Sequence, residues 1–306
     1  MPTYFKIDEL LLGGSVSFTN LQNVRTTPDI REIMEYPAGH PHPIYTANAS
    51  VRPAISFTTR EVAKVLANIP SGGLAVTNDS YLYHKLAQAA GIPDRTQATH
   101  RRYRMPQCLA YWTSISIPNN APAEAQVMLQ AQYDGSNLPL IPQTAVALTS
   151  AQTAPTLHGV GPVFINGTQL AAGSIQSVEA SSGISLLQLG GDSELYDRFV
   201  GVERTNPRLT VQTTEIEAIN TYGLGGTALD GSNGIIAYLR AFSEDGDRIA
   251  TNVASHAALQ GLSGLLRPET SGGSASGVMR DSLRANLTAL NDTVLPLLQF
   301  TGQTIP

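Results

Sequence analysis

Sliding the sequence over itself by 154 positions sets apolar residues on apolar residues, without a gap, for more than forty positions. Leu21-Gln22-Asn23-Val24 falls on Ile175-Gln176-Ser177-Val178, with Gly13 on Gly167, Ile30 on Ile184 and Tyr45 on Phe199. The match continues through Pro53 on Pro207, Ile55 on Leu209, Phe57 on Val211, Glu61 on Glu215 and Val62 on Ile216. It then slips. Leu109-Ala110-Tyr111-Trp112 matches Ile236-Ala237-Tyr238-Leu239 at a shift of 127, and Leu129-Gln130-Ala131-Gln132 returns to 154 on Leu283-Arg284-Ala285-Asn286, followed by Pro142 on Pro296. This pattern predicts a tandem duplication, with domains at 1–153 and 154–306. The slip predicts one insertion in each copy, a helical and basic one at 74–104 and a second at 244–275.

A chain of 306 residues divides into two domains large enough to bury a core each. Hydrophobic residues make up 42% and charged residues only 14%, which excludes a disordered chain; 27 glycines and 19 prolines call for many turns and favour β structure. No apolar run is long enough to span a bilayer, and Met1-Pro2-Thr3-Tyr4-Phe5-Lys6 does not read as a signal peptide, so synthesis in the cytosol is expected. The single cysteine, Cys108, forbids an internal disulfide and reads as a small buried hydrophobe. Residues 1–153 hold 11 basic and 10 acidic side chains and residues 154–306 hold 8 and 14, so the halves carry +1 and −6. That balance argues against a surface that grips nucleic acid.

Alternation around Gly13-Gly14 predicts a hairpin at the start of each copy, and residues 29–36 and 184–189 read as strands. Thr58 and Glu61 form a capping box for a helix over 58–69, with Phe57 stapled to Val62 and a stripe of Val62, Val65, Leu66 and Ile69. Thr214, Glu217, Ile216 and Ile219 predict a shorter helix in the second copy, stopped by Gly223. Asp79-Ser80 predicts another helix carrying Leu82, Leu86 and Ala89 and ending at Gly91. Strands follow at 109–117, 127–133 and near Val146, and 149–160 reads as a linker. The fold class is therefore mainly β, a sandwich or barrel with flanking helices.

Candidate chemistry is thin. His40 and His42 in a Pro-rich loop lack further ligands for a tetrahedral metal site and read as a solvated loop. Gly223-Leu224-Gly225-Gly226 follows a helix rather than a strand, which a dinucleotide loop would not. Asp245 and Asp247 lack the glutamate that completes a calcium loop. His84, His158 and His256 share no motif with a nucleophile, and nothing speaks for an enzyme or a cofactor; catalytic, cofactor and metal residues are all read as none. The cluster Arg95, His100, Arg101, Arg102 and Arg104 reads as a solvated loop or an arm bridging to a neighbouring subunit, since one short run in an acidic protein is a weak footprint for nucleic acid.

A β-rich domain with a strand to Phe57, a capped helix from Thr58 to Ile69, and partners from Leu209 to Tyr222, resembles the tail tube proteins of long-tailed phages and the related secretion-system tube proteins. The likeness is a loose pattern over most of each half. It implies small β domains in rings of six positions, here filled by three duplicated chains, whose inner sheets join around a lumen and whose rings stack. It further implies a virion tail protein made in the host cytoplasm. Its partners would be other copies, tail proteins at the tube ends and passing DNA held without tight binding, with no membrane. The other classes open to this chain are a tandem β-sandwich module that binds a glycan or protein, and a hydrolase with a loop-built site. Rings or tubes, a monomer, or a concave pocket of perturbed titratable groups would separate the three.

Overall fold

The computed structural model describes residues 4–87, 94–148, 154–192, 194–214, 218–243, 245–272 and 280–306. The first half runs β1 (Phe5–Leu12), β2 (Val16–Phe18), β3 (Leu21–Thr27), β4 (Ile30–Glu35), β5 (Tyr45–Val51), β6 (Ala54–Thr59), α1 (Val62–Asn68), β7 (Leu74–Val76), β8 (Ser80–Leu86), β9 (His100–Met105), β10 (Gln107–Pro118), β11 (Glu124–Gln132) and β12 (Ile141–Val146). The second runs β13 (His158–Ile165), β14 (Thr168–Gln169), β15 (Ile175–Ser181), β16 (Ser185–Leu189), β17 (Phe199–Arg204), β18 (Arg208–Thr213), α2 (Ala218–Tyr222), β19 (Thr227–Ala228), β20 (Ile235–Ala241), β21 (His256–Gly261), β22 (Ser263–Gly272), β23 (Arg280–Thr288) and β24 (Leu298–Gln303). In both halves the helix follows the sixth strand.

Sheet order repeats as well. A five-stranded sheet β12-β9-β8-β1-β2 in the first half matches β24-β21-β20-β13-β14 in the second. Each half adds five strands to one shared ten-stranded sheet of order β19-β22-β23-β18-β15-β10-β11-β6-β3, with β7 also on β10. The antiparallel hairpins β4-β5 and β16-β17 stand apart as two-stranded ribbons. The fold is thus mainly β, and one continuous sheet crosses the boundary between the halves.

Period-two alternation sets the faces. On β20, Ile235, Ala237, Leu239 and Ala241 point inward, as do Leu209 and Val211 on β18 and Ala125, Val127 and Leu129 on β11. These side chains meet Leu10, Leu82 and Met105 from one five-stranded sheet and Val163 and Leu259 from the other in one apolar core, a sheet-on-sheet packing. Turns carry the glycines. Asn166-Gly167 takes φ of 48° and 80° in the tight β13-β14 hairpin, a conformation that Asn-Gly adopts with little strain.

Several sequence expectations are corrected. Residues 74–104 and 244–275 are not insertions. The first holds β7, β8 and most of β9 and the second β21 and β22, all integral to sheets with a counterpart in the other half. The equivalences drift instead, from 153 between Phe5 and His158 to 157 between Val146 and Gln303, which hold matching positions beside His100 and His256 and at the sheet ends. Residues 236–239 belong to β20, whose counterpart is β8 and not β10. Leu283 corresponds to Val127 rather than Leu129, Gln299 rather than Pro296 to Pro142, and Asn166 rather than Gly167 to Gly13.

The helix expected from Asp79 is strand β8, because Leu82 and Tyr83 must each pack on opposite faces of a paired strand. Helix α1 begins at Val62 with Glu61 at its N-cap and no side-chain cap bond, so Thr58 and Glu61 form no capping box. The Glu61 N–H instead donates to Thr59 Oγ1 at 3.1 Å. The expected linker 149–160 ends in β13, which starts at His158. Ala89, Gly91, Glu215, Ile216, Glu217, Gly273, Ser274 and the expected linker's 149–153 lie outside the described residues.

Candidate assembly surface

The sequence-predicted chemical residues do not converge. His40 and His42 lie exposed in the turn between β4 and β5. No group of three or more His, Cys, Asp or Glu that could hold a metal occurs among the described residues. Gly223, at φ 69°, ends α2 as a left-handed C-terminal residue, and Gly226, at φ 86°, leads into β19. The turn at Asp247 is closed on Ser243, its N–H donating to the Ser243 Oγ at 3.1 Å. Burial pushes the Cys108 thiol up to about 12, which leaves it an inert core group.

The basic cluster lies on the five-stranded sheet of the first half, not in a free arm. Arg95 makes two bonds to buried Asp8, at 3.1 and 2.8 Å, and Arg104 pairs with Asp79 at 2.8 Å. Arg101 lies over the Phe5 ring at 4.2 Å and Arg102 over Tyr81 at 4.1 Å, with Arg102 also donating to Gln143 and Tyr83. These contacts hold most of the cluster's charge within its own sheet.

What the structure does bring together is the junction between the halves, and it has three parts. The first is an edge pairing. Ser114–Pro118 of β10 run antiparallel to Ser177–Ser181 of β15, and Ser182 Oγ donates to the Trp112 carbonyl at 2.6 Å. The same side of β10 carries β7 opposite Cys108–Ala110, and a bulge between Trp112 and Ser114 separates the two partners.

The second part is a ribbon laid over a sheet. Val200, Ile184, Leu186 and Val202 of the second half's hairpin pack on Leu109, Tyr111 and Met128 of β10 and β11. The ribbon's loop is pinned by Asp197, whose carbonyl accepts the Tyr133 N–H at 2.9 Å and whose carboxylate pairs with Arg52 at 2.9 Å. The third part is a helix end. Ser71, buried after α1, donates to the Leu297 carbonyl at 2.6 Å, and Gln299 reaches the Ile69 carbonyl at 3.3 Å.

Four of the surfaces used in this junction have counterparts that lack the corresponding contact among the described residues. Strand β22 repeats β10: β19 sits opposite Leu265 and Leu266, a bulge follows between Pro268 and Thr270, and beyond it Thr270–Gly272 pair with β23 alone among the described strands. Strand β3 repeats β15 at an offset of 154, as Leu21 opposite Thr59 and Ile175 opposite Thr213 show, and it ends the ten-stranded order. Leu224 occupies after α2 the place of buried Ser71 after α1, yet is 84% exposed. Hairpin β4-β5 repeats β16-β17 residue for residue, Glu32 opposite Asn48 as Leu186 is opposite Val202.

An exposed strand edge invites another strand, and the two free edges here are the two sides of a pairing the chain already makes once. No known protein family matches this sequence, and no curated protein is similar to it.

Proposed function

We propose that this chain is a structural subunit whose two halves descend from one domain and which assembles head to tail, three chains closing into a ring of six similar positions that stacks into a phage-type tail tube. The observation that carries this reading is the pairing of β10 with β15. This edge pairing between the halves is made within the chain, and the counterparts of its two edges, the end of β22 and β3, lack it among the described strands. Such a heterologous contact closes into a ring when its rotation fits and otherwise runs on as a filament. Joining β22 of one chain to β3 of the next would extend the ten-stranded sheet around the ring and remove its edges.

The acidic balance of −5 per chain suits a conduit that lets DNA pass without holding it. In this reading the protein resides in the virion tail after synthesis in the host cytoplasm. Among the described residues no helix is long and apolar enough to cross a membrane.

Sedimentation of purified protein over a range of concentrations, with images of the fastest species, tests the proposal. A three-chain species with six lobes around a channel, or tubes of such rings, is the expected result. A chain that stays monomeric at the highest concentration reached would favour instead a module that binds a glycan or another protein.

A further inference from the structure

We infer that hairpin β4-β5 of one chain lies across the outer face of β22 and β23 of the next chain, with Glu32 set against Arg267 and Arg284. The inference rests on the head-to-tail reading above and names the partner surface within it: a second copy of this chain.

Within the chain the corresponding contact is apolar. Ribbon β16-β17 follows β15 across the junction and covers Leu109, Tyr111 and Met128 with Leu186, Val200 and Val202. Ribbon β4-β5 follows β3, which ends the sheet order among the described strands; all six residues of β4 are exposed, and the ribbon meets the second half at its base, where the Val51 N–H donates to the Leu195 carbonyl at 2.8 Å. Ile30, the counterpart of part-buried Ile184, is 47% exposed, and Met34 on the same face is 48% exposed. The face it would reach in its own chain lies at the opposite end of the ten-stranded order, which leaves a second copy as the occupant.

Carrying the contact from the first half to the second changes its chemistry on both sides together. The hairpins superimpose at an offset of 154, so Leu186 becomes Glu32 and Val202 becomes Asn48. The sheets superimpose at 156, with Ala110 opposite Leu129 as Leu266 is opposite Ala285, so Tyr111 becomes Arg267 and Met128 becomes Arg284. A hydrophobic residue on a hydrophobic face is replaced by an acid on a basic face. Independent drift of two exposed surfaces has no reason to keep such complementarity.

The charges on β22 and β23 show the same gap. Arg284 pairs with Glu269, yet its Nε is buried with no hydrogen-bond partner among the described residues, and the exposed Arg267 adds a second guanidinium to that face. One carboxylate faces two guanidiniums there, and Glu32 from the next chain would balance them. A desolvated carboxylate opposite arginine fixes register and partner choice as well as adding affinity.

The test uses the full chain and three variants at exposed positions: Glu32→Arg, Arg267→Glu and both together, each checked for unchanged thermal unfolding as a monomer. Sedimentation at low salt reads the concentration at which half the chains assemble. Each single reversal is expected to raise that concentration by at least about tenfold, and the double reversal to recover most of the loss, as charge pairs at interfaces do. Wild-type protein that assembles, with Glu32→Arg assembling equally well or the double variant recovering nothing, would overturn the hairpin contact while leaving head-to-tail assembly standing. Wild-type protein that never assembles would overturn both.

Discussion

His100 and His256 occupy the same position in the two halves and make the same two bonds. Nδ1 of His100 accepts the Leu86 N–H at 3.0 Å while its Nε2 lies 2.9 Å from the Asp94 carbonyl; Nδ1 of His256 accepts the Ala241 N–H at 3.0 Å while its Nε2 lies 3.0 Å from the Ala250 carbonyl. Each ring thus serves as a peg between the end of one strand and the loop six residues before the next, Nδ1 accepting from the strand and Nε2 facing the loop carbonyl. Both are buried. His100→Ala and His256→Ala should each lower stability by roughly 1–3 kcal/mol, the cost of leaving buried main-chain groups without partners. Urea unfolding checks the magnitudes; a large loss at one site and none at the other would show that the pegs are not equivalent.

That pair was visible in the sequence only as two members of a scattered set of six histidines. The repeat at 154 is legible around Leu21–Phe57 because β3 and β6 keep one offset with β15 and β18. Beyond α1 the offset moves, to 153 at β7, 155 at β8, 156 at β10 and 157 at β12, and in a strand an odd change exchanges the buried and exposed faces. An ungapped comparison loses phase there, and a chance match of Leu109–Trp112 with Ile236–Leu239 fills the gap. Arg101, Arg102 and Arg104 hid strand β9 for a related reason: its outer positions carry arginines that lie over rings or pair with Asp79, which composition alone reads as loop. The open edges of β3 and β22 were not legible at all, because which strand lacks a neighbour is a property of sheet order.

Glu61 shows how a sequence signal can be right about importance and wrong about mechanism. Its carboxylate, 5% exposed, accepts the N–H groups of Thr19 at 2.7 Å and Asn20 at 3.0 Å, and it pairs with Lys64. It thereby ties the chain between β2 and β3 to the start of α1. Glu61→Ala should cost about 2–4 kcal/mol, since two main-chain donors lose a charged acceptor. Glu61→Gln should cost less. A chemical-denaturation midpoint unchanged by Glu61→Ala would reject this role.

Gly183 turns the chain from β15 into the ribbon that crosses the junction. Its φ is 59°, and a Cβ there would sit 2.1 Å from the Asn206 carbonyl oxygen, a main-chain atom that cannot move aside without breaking the Asn206 N–H bond to the Gly183 carbonyl. Gly183→Ala should therefore destabilise by more than the roughly 1 kcal/mol of an ordinary left-handed substitution, and should loosen β16-β17 first. Hydrogen exchange at Leu186 and Val202 faster than at Val178 is the expected signature. Protection equal to wild type along the ribbon would show that the backbone absorbs the side chain.

Acid should weaken the fold through His158. The imidazole is fully buried at the start of β13, and that burial holds it below its ordinary value against the opposing pull of the Ser255 and Thr156 main chain, with His256 nearby adding to the depression. In the unfolded chain the ring takes up a proton near pH 6.5, while in the folded chain it stays neutral to lower pH. The unfolded state then binds more protons, so stability present above about pH 6.5 is lost progressively as the pH falls through the folded value. The first half shows what a non-titrating group does at this position, for Phe5 is the counterpart of His158. His158→Phe should lower stability by a roughly pH-independent 1–3 kcal/mol for the added volume in a fully buried site and flatten its decline toward pH 5. His84, depressed by burial and by Arg101, should leave a smaller residual slope in the variant. Unfolding free energies measured in urea at half-unit steps from pH 7.5 to pH 5 decide it: a slope in His158→Phe as steep as in wild type would assign the acid sensitivity to other groups.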